Sequence, residues 1–213
     1  MTNQWQSIGI SPEERFLKLY FEPESEQFLA QFYEQLGDGF GVKSLYARHF
    51  NENEYHKITP DNKQLTYEDV VLCPESKKIF VNVFKLKKKQ DKYLGYRWHS
   101  LQMIDTNTAE VSEILKAGQL DSERPYAKVW IAELRRAKNN GEQLVCTMAF
   151  ENKSKKGSTV TEYYICKVFT KTGLYKRVTK LGDNISQYPK TGIIAEKTAA
   201  VGLSIFSEII KSP

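Results

Sequence analysis

The stretch SPEERFLKLYFEPESEQFLAQFYEQLG, residues 11–37, decides how the rest of the chain is read. Ser11 stands where an N-cap is wanted, Pro12 fits a first helical position, and Glu14 falls at the third, where it answers unpaired N–H groups. Phe16, Leu17, Leu19, Tyr20 and Phe21 follow, and Pro23 stops or kinks that helix. A second helix is expected over residues 24–36. Phe28, Phe32 and Leu36 recur there every four residues, with Leu29 and Tyr33 beside them, as an apolar stripe does. Gly37 is placed to close it in a left-handed conformation. A shorter helix is expected over 43–50, a polar loop over 51–63, and 64–72 has no clear period. The glycines Gly37, Gly39 and Gly41 follow a helix instead of opening one, so they read as a cap and loop, not a phosphate cradle.

Past residue 76 the pattern changes to strands. Residues 78–88 are rich in Ile, Val and Phe, residues 93–104 alternate aromatic and polar, and the polar 89–92 between them makes a hairpin. Asn107 and Glu110 have capping-box spacing for a short helix ending near Gly118. Residues 127–138 and 142–151 flank Asn139-Asn140-Gly141, a turn whose members tolerate positive φ. The first of these segments also fits a helical period; strand is the reading adopted. Further strands are expected over 159–170 and 174–181. A final helix over 193–211, capped by Thr191, has Ile193, Ile194, Leu203, Ile205, Phe206 and Ile209 spread nearly all round it. It is either wedged against the sheet or shared with a protein partner or a second copy. No internal repeat is visible.

Helices at both ends of an antiparallel meander imply an α+β fold, with the helices packed on a sheet of about five or six strands. The 213 residues suit a single domain with three parts. These are an acidic helical part over 1–72, a basic β part over 76–182, and the C-terminal helix over 191–213. Three widely spaced cysteines with no ligand pattern are expected as free thiols. The first fifteen residues lack a leader's basic start and apolar run, and the terminal apolar stretch carries Glu196, Lys197 and Glu208. A cytoplasmic protein with no membrane association is therefore expected.

Charge supplies the clue to function. Residues 1–75 carry 13 acidic and 6 basic side chains, residues 76–213 carry 13 and 25, so a net −7 gives way to a net +12. Lys77, Lys78, Lys85, Lys87, Lys88, Lys89, Lys92 and Arg97 fall in one stretch against Asp91 alone. Lys153, Lys155, Lys156, Lys176 and Arg177 belong to a second. Lysine and arginine bind phosphates, and exposed aromatic faces stack on bases. Tyr93, Trp98 and Tyr175 are the stacking candidates. The expectation is a nucleic-acid-binding protein, DNA or RNA undetermined, largely indifferent to sequence, alone or as a subunit of a nucleoprotein complex, with no cofactor and no resident metal. Solvated hairpin tips would look the same.

Two alternatives are kept. Glu151 and Lys153 at a strand end have the spacing by which PD-(D/E)xK-type nucleases present a metal ligand and a water-orienting lysine, although Asp121 does not sit at a strand start. Alternatively, the acidic third and the last helix dock protein partners. His49, His56 and His99 are read as structural; a metal-free ribonuclease could use a histidine as acid or base near a basic residue such as Arg97, but nothing marks one of the three as special.

Overall fold

A computed structural model describes residues 14–22, 26–120, 128–153 and 159–186. Ser11, Pro12, Asp121 and the expected C-terminal helix lie outside the described residues. Where helices were expected at the N-terminus, strands run. β1 (Glu14–Glu22), β2 (Gln27–Gly37), β3 (Phe40–His49) and the short β4 (His56–Lys57) form one antiparallel sheet. The chain continues as β5 (Leu65–Cys73), β6 (Lys78–Lys89), β7 (Lys92–Asp105) and β8 (Val111–Lys116), a second sheet. The third holds β9 (Lys128–Lys138), β10 (Gln143–Lys153), β11 (Thr159–Phe169) and β12 (Tyr175–Ser186). The α+β expectation is overturned: the described residues hold three four-stranded antiparallel sheets, one four-residue helix α1 (Ala117–Leu120) and a single 3-10 turn at Pro74–Ser76.

The misreading has a physical cause. A spacing of four is close to one helical turn, but it is also twice the strand repeat, so Phe28 and Phe32 share a face in either conformation. In the strand they meet other aromatics, Phe28 against Phe50 and Phe32 against Phe16, Tyr46 and Tyr55. Leu29 and Gln31 turn to the opposite face, where the second sheet covers them. The expected helix over 43–50 is likewise β3. Nor do Asn107 and Glu110 cap a helix. The Asp105 carboxylate accepts the Asn107 and Thr108 N–H groups at 2.9 and 3.1 Å, making the turn that leads into β8. The charge boundary near residue 75 falls at the turn between β5 and β6, inside the second sheet.

The sheets stack face to face, with the second in the middle. Its β6 is buried continuously from Ile79 to Val83, as expected of a strand covered on both faces. Ile79, Val81 and Val83 pack with Leu29, Leu45 and Tyr67 toward the first sheet. Phe80 packs with Ile131, Leu144, Met148 and Phe150 toward the third. Cys73, Cys146 and Cys166 form no disulfide and are buried in that second cluster. At the far end of β9, Asn139, Asn140 and Gly141 all take positive φ. Gly141 abuts Phe80 so closely that a Cβ would come within 2.9 Å of its ring. Among the described residues no helix is long and apolar enough to cross a membrane.

A polar chain ties the middle sheet to the third. Trp98 donates its Nε1–H to Asn82 at 2.7 Å, and Asn82 donates to Asp69 and to the Ile131 carbonyl, each at 3.2 Å. The Leu134 N–H reaches the same Asp69 oxygen at 3.1 Å. Burial pushes the Asp69 carboxyl above its usual 3.8, against the pull of these hydrogen bonds. The folded protein thus holds that proton more tightly than the unfolded chain. Stability from this group is greatest in acid and falls as pH rises past 3.8 through the raised value. Asp69→Asn is expected to remove this dependence. In urea unfolding across that range, the variant should gain on the wild type as pH rises toward neutrality. A pH-independent difference would overturn the assignment.

Candidate nucleic-acid interface

The β6–β7 hairpin is the best-formed part of the sequence-derived basic surface. Its ladder runs from Lys78 opposite Asp105 to Lys89 opposite Lys92. Gln90 and Asp91 close it with φ of 45° and 60°, the left-handed pair that a two-residue hairpin turn needs. In β6 burial ceases beyond Leu86. Lys85, Lys87, Lys88, Lys89, Lys92 and Arg97 are all exposed there. The distal half of the hairpin borders a groove of about 640 Å³. Its charged lining is entirely cationic: Lys63, Lys85, Lys87, Lys88 and Arg97, with Tyr93 and Leu94 beside them. Lys88 lies over the Tyr93 ring, 5.6 Å from its centre, and pairs loosely with exposed Asp91 at 3.4 Å. Lys63 meets Glu34 at 2.5 Å.

Not every sequence candidate belongs to this surface. Trp98 is a correction: it is 5% exposed, and its ring packs in the core while its N–H serves Asn82, so it has no face for a base. The alternation that exposes Arg97 turns its neighbour inward. Tyr175 is half-buried against Phe150, with ring centres 6.0 Å apart, and is a packing residue. Arg177 lies 4.2 Å over the same Phe150 ring and 5.3 Å over Tyr164, so its guanidinium covers core aromatics. Lys176 is exposed beside them. The start of β12 packs near Gly141 and the β5–β6 turn, at the opposite end of the stack from the lysine hairpin.

Lys153 ends β10 opposite Thr159, at the same end of the stack as the β6–β7 tip, because β5 and β9 run side by side in one direction. Lys155 and Lys156 lie outside the described residues. Glu151, the alternative metal ligand, is ion-paired with Lys128 at 3.0 Å. Among the described residues no three His, Cys, Asp or Glu side chains gather where they could hold a metal ion. His99 is half-buried in β7. Burial first, then Lys85 and Lys116, hold it below its ordinary value and favour the neutral ring.

Sequence reasoning missed Lys63 and Leu94. Lys63 precedes β5 in what looked like a plain polar loop, and Gln64 beside it accepts the Leu86 N–H through its carbonyl at 2.7 Å, which fixes that loop against the hairpin. Leu94 is 60% exposed at a bulge in β7, where Lys87 pairs with Gly95 and Lys88 with Tyr93. Nothing in the local pattern announces a bulge at that position.

No protein family and no curated protein matches this chain. Among solved structures it is similar to a Hadza microbial sialidase, at 9% identity and a TM-score of 0.49, over 82% of this chain and 39% of that one. A putative TolB from Agrobacterium tumefaciens is matched at 7% identity and a TM-score of 0.33, over 77% and 64% respectively. Prolyl oligopeptidase B from Galerina marginata gives 10% identity and a TM-score of 0.26, over 83% and 36%. The chain therefore spans less than two thirds of the length of each of these proteins. At such identities and scores the likenesses carry no argument about function, and the reading of this chain rests on its own surface.

Proposed function

We propose that this protein binds nucleic acid through the groove beside the distal half of the β6–β7 hairpin, holding the sugar-phosphate backbone without reading its sequence there. The observation that carries this reading is the groove's lining of five cationic side chains and no carboxylate. A concave surface of one sign concentrates field lines and draws in a polyanion. Phosphates neutralised there release condensed counterions, which supplies affinity that salt removes. Tyr93 and exposed Leu94 add an apolar surface beside the charges.

The test is a fluorescence-anisotropy titration with labelled single-stranded and duplex oligonucleotides over a salt series. Micromolar or tighter binding is expected at about 50 mM salt, with log K falling against log[salt] by about 0.7 to 0.9 for each phosphate contact. Lys63 is held by Glu34, so with up to four contacts available in the groove a total slope of roughly −3 to −4 is expected. Absence of binding at that salt, or a slope near zero, would overturn the reading.

A further inference from the structure

A second concavity lies next to the groove. It occupies about 460 Å³ where the three sheets meet, and Tyr33, Gly41 and Lys43 come to it from the first sheet. Glu68, Asp69, Phe84 and Tyr96 come from the second and Ala132 from the third. Gly41 is required here, since a Cβ would overlap the Tyr33 ring. The Tyr96 hydroxyl donates to the Gly41 carbonyl at 2.6 Å and accepts its N–H at 3.1 Å, so the two aromatic walls are held in place. Phe40 touches both Tyr96, in the pocket, and Tyr93, in the groove, with ring centres 5.8 Å from each. Pocket and groove therefore adjoin along β7.

The polar groups define what the pocket accepts. Lys43 is committed to Glu68, whose other oxygen takes the Thr66 hydroxyl at 2.8 Å. Asp69 differs: Asn82 and Leu134 both donate to its Oδ2, and no described residue donates to its Oδ1. A volume within the range of small-ligand sites, three aromatic rings and one acceptor oxygen without a protein donor suit a flat ring carrying an N–H donor.

We propose that the pocket receives one unpaired nucleobase bearing an exocyclic amino group, stacked among Tyr33, Phe84 and Tyr96 and donating to Asp69 Oδ1, from a single strand whose phosphates lie in the groove. This rests on the nucleic-acid reading above. A base paired in a duplex cannot enter, so the strand must be single. Cytosine carries an amine at the exocyclic position where uracil carries a carbonyl, and its ring N3 accepts where that of uracil donates, so the two pyrimidines of equal size present opposite polarity to Asp69 at the exocyclic position. Asp69→Asn reverses the polarity of the contact. The Asn oxygen is needed by the Asn82 and Leu134 donors, which turns its NH2 toward the pocket, where it would meet a carbonyl instead of an amine.

The experiment compares labelled oligocytidylate, oligouridylate and a duplex of equal length at one salt concentration, with wild type and Asp69→Asn. Expected for wild type is a preference for cytidylate over uridylate of roughly fivefold to tenfold, and for single strand over duplex of about tenfold. In Asp69→Asn the cytidylate-to-uridylate ratio should fall to about one or below. This ratio cancels the uniform gain from removing a negative charge beside the phosphates. Equal binding of cytidylate and uridylate by wild type, an unchanged ratio in the variant, or duplex binding as tight as single strand would overturn the pocket while leaving the groove intact. Failure to bind any oligonucleotide would overturn the groove itself.

Discussion

Replacing Lys87, Lys88 and Lys89 together by glutamate is expected to weaken nucleic-acid binding by about a hundredfold or more at low salt, and to flatten the salt dependence by about three contacts' worth. Lys87 and Lys88 line the groove, and Lys89 extends the same charge to the hairpin tip. The substitution inverts the sign of that wall, so the loss exceeds simple deletion. The fold should be nearly unaffected. All three side chains are exposed, and the ion pair they make among the described residues, Lys88 with Asp91 at 3.4 Å, has a partner that is 99% exposed. A stability change within about 0.5 kcal/mol for each replacement is expected. Anisotropy over a salt series, alongside thermal unfolding, checks both halves. Unchanged affinity in a well-folded variant would reduce these lysines to a solvated turn.

Asn82→Asp is expected to destabilise the protein by about 3 to 5 kcal/mol at neutral pH, as loss of one partner in a buried polar network does. Asn82 is fully buried, and its NH2 is the donor that both Asp69 and the Ile131 carbonyl require. A carboxylate there keeps the Trp98 bond but sets two anionic groups and a carbonyl against one another. Acid should recover part of the loss. The crowded pair takes up a proton in the folded state more readily than in the unfolded one, so stability returns as pH falls. Asn82→Ala leaves the Trp98 N–H without a partner and removes one of the hydrogen bonds that hold the Asp69 carboxyl down, so it should cost about 1 to 3 kcal/mol at neutral pH, with a smaller recovery in acid than Asn82→Asp. Urea unfolding of both variants at neutral and mildly acidic pH separates them. Equal midpoints for wild type and Asn82→Asp would mean that the network contributes nothing.

The strands of the second and third sheets were legible where β-branched and aromatic residues cluster, as in residues 79–84, and where turn chemistry is explicit, as at Asn139-Asn140-Gly141. The first sheet was not. Its residues are good helix formers, with Glu, Gln, Ala and Leu between the aromatics, and their fate is settled by what covers them. Leu29, Gln31 and Leu45 become inward residues only because the second sheet lies over them. The repeated architecture was hidden for a related reason: the three meanders share topology but no residue pattern. At the candidate site, charge was visible and depth was not. Period-two alternation determined that Trp98 faces inward while Arg97 does not, but the bulges that shift the register between Val83 and Phe84 and between Lys87 and Lys88 leave no local signature.

Every hydrogen-bonded ladder in the three sheets joins strands adjacent in sequence. Backbone pairing is thus a local affair, and a polypeptide emerging N-terminus first can zip each meander before the next has been made. What such a half-made chain lacks is cover. The first sheet, paired but alone, would show Leu29 and Leu45 to water until β5 and β6 arrive, and the second would show Phe80 and Leu101 until β9 and β10 do. Pairing runs ahead of burial, so the growing molecule always carries one wet apolar face at its newest edge, the interval in which a chaperone has most to hold.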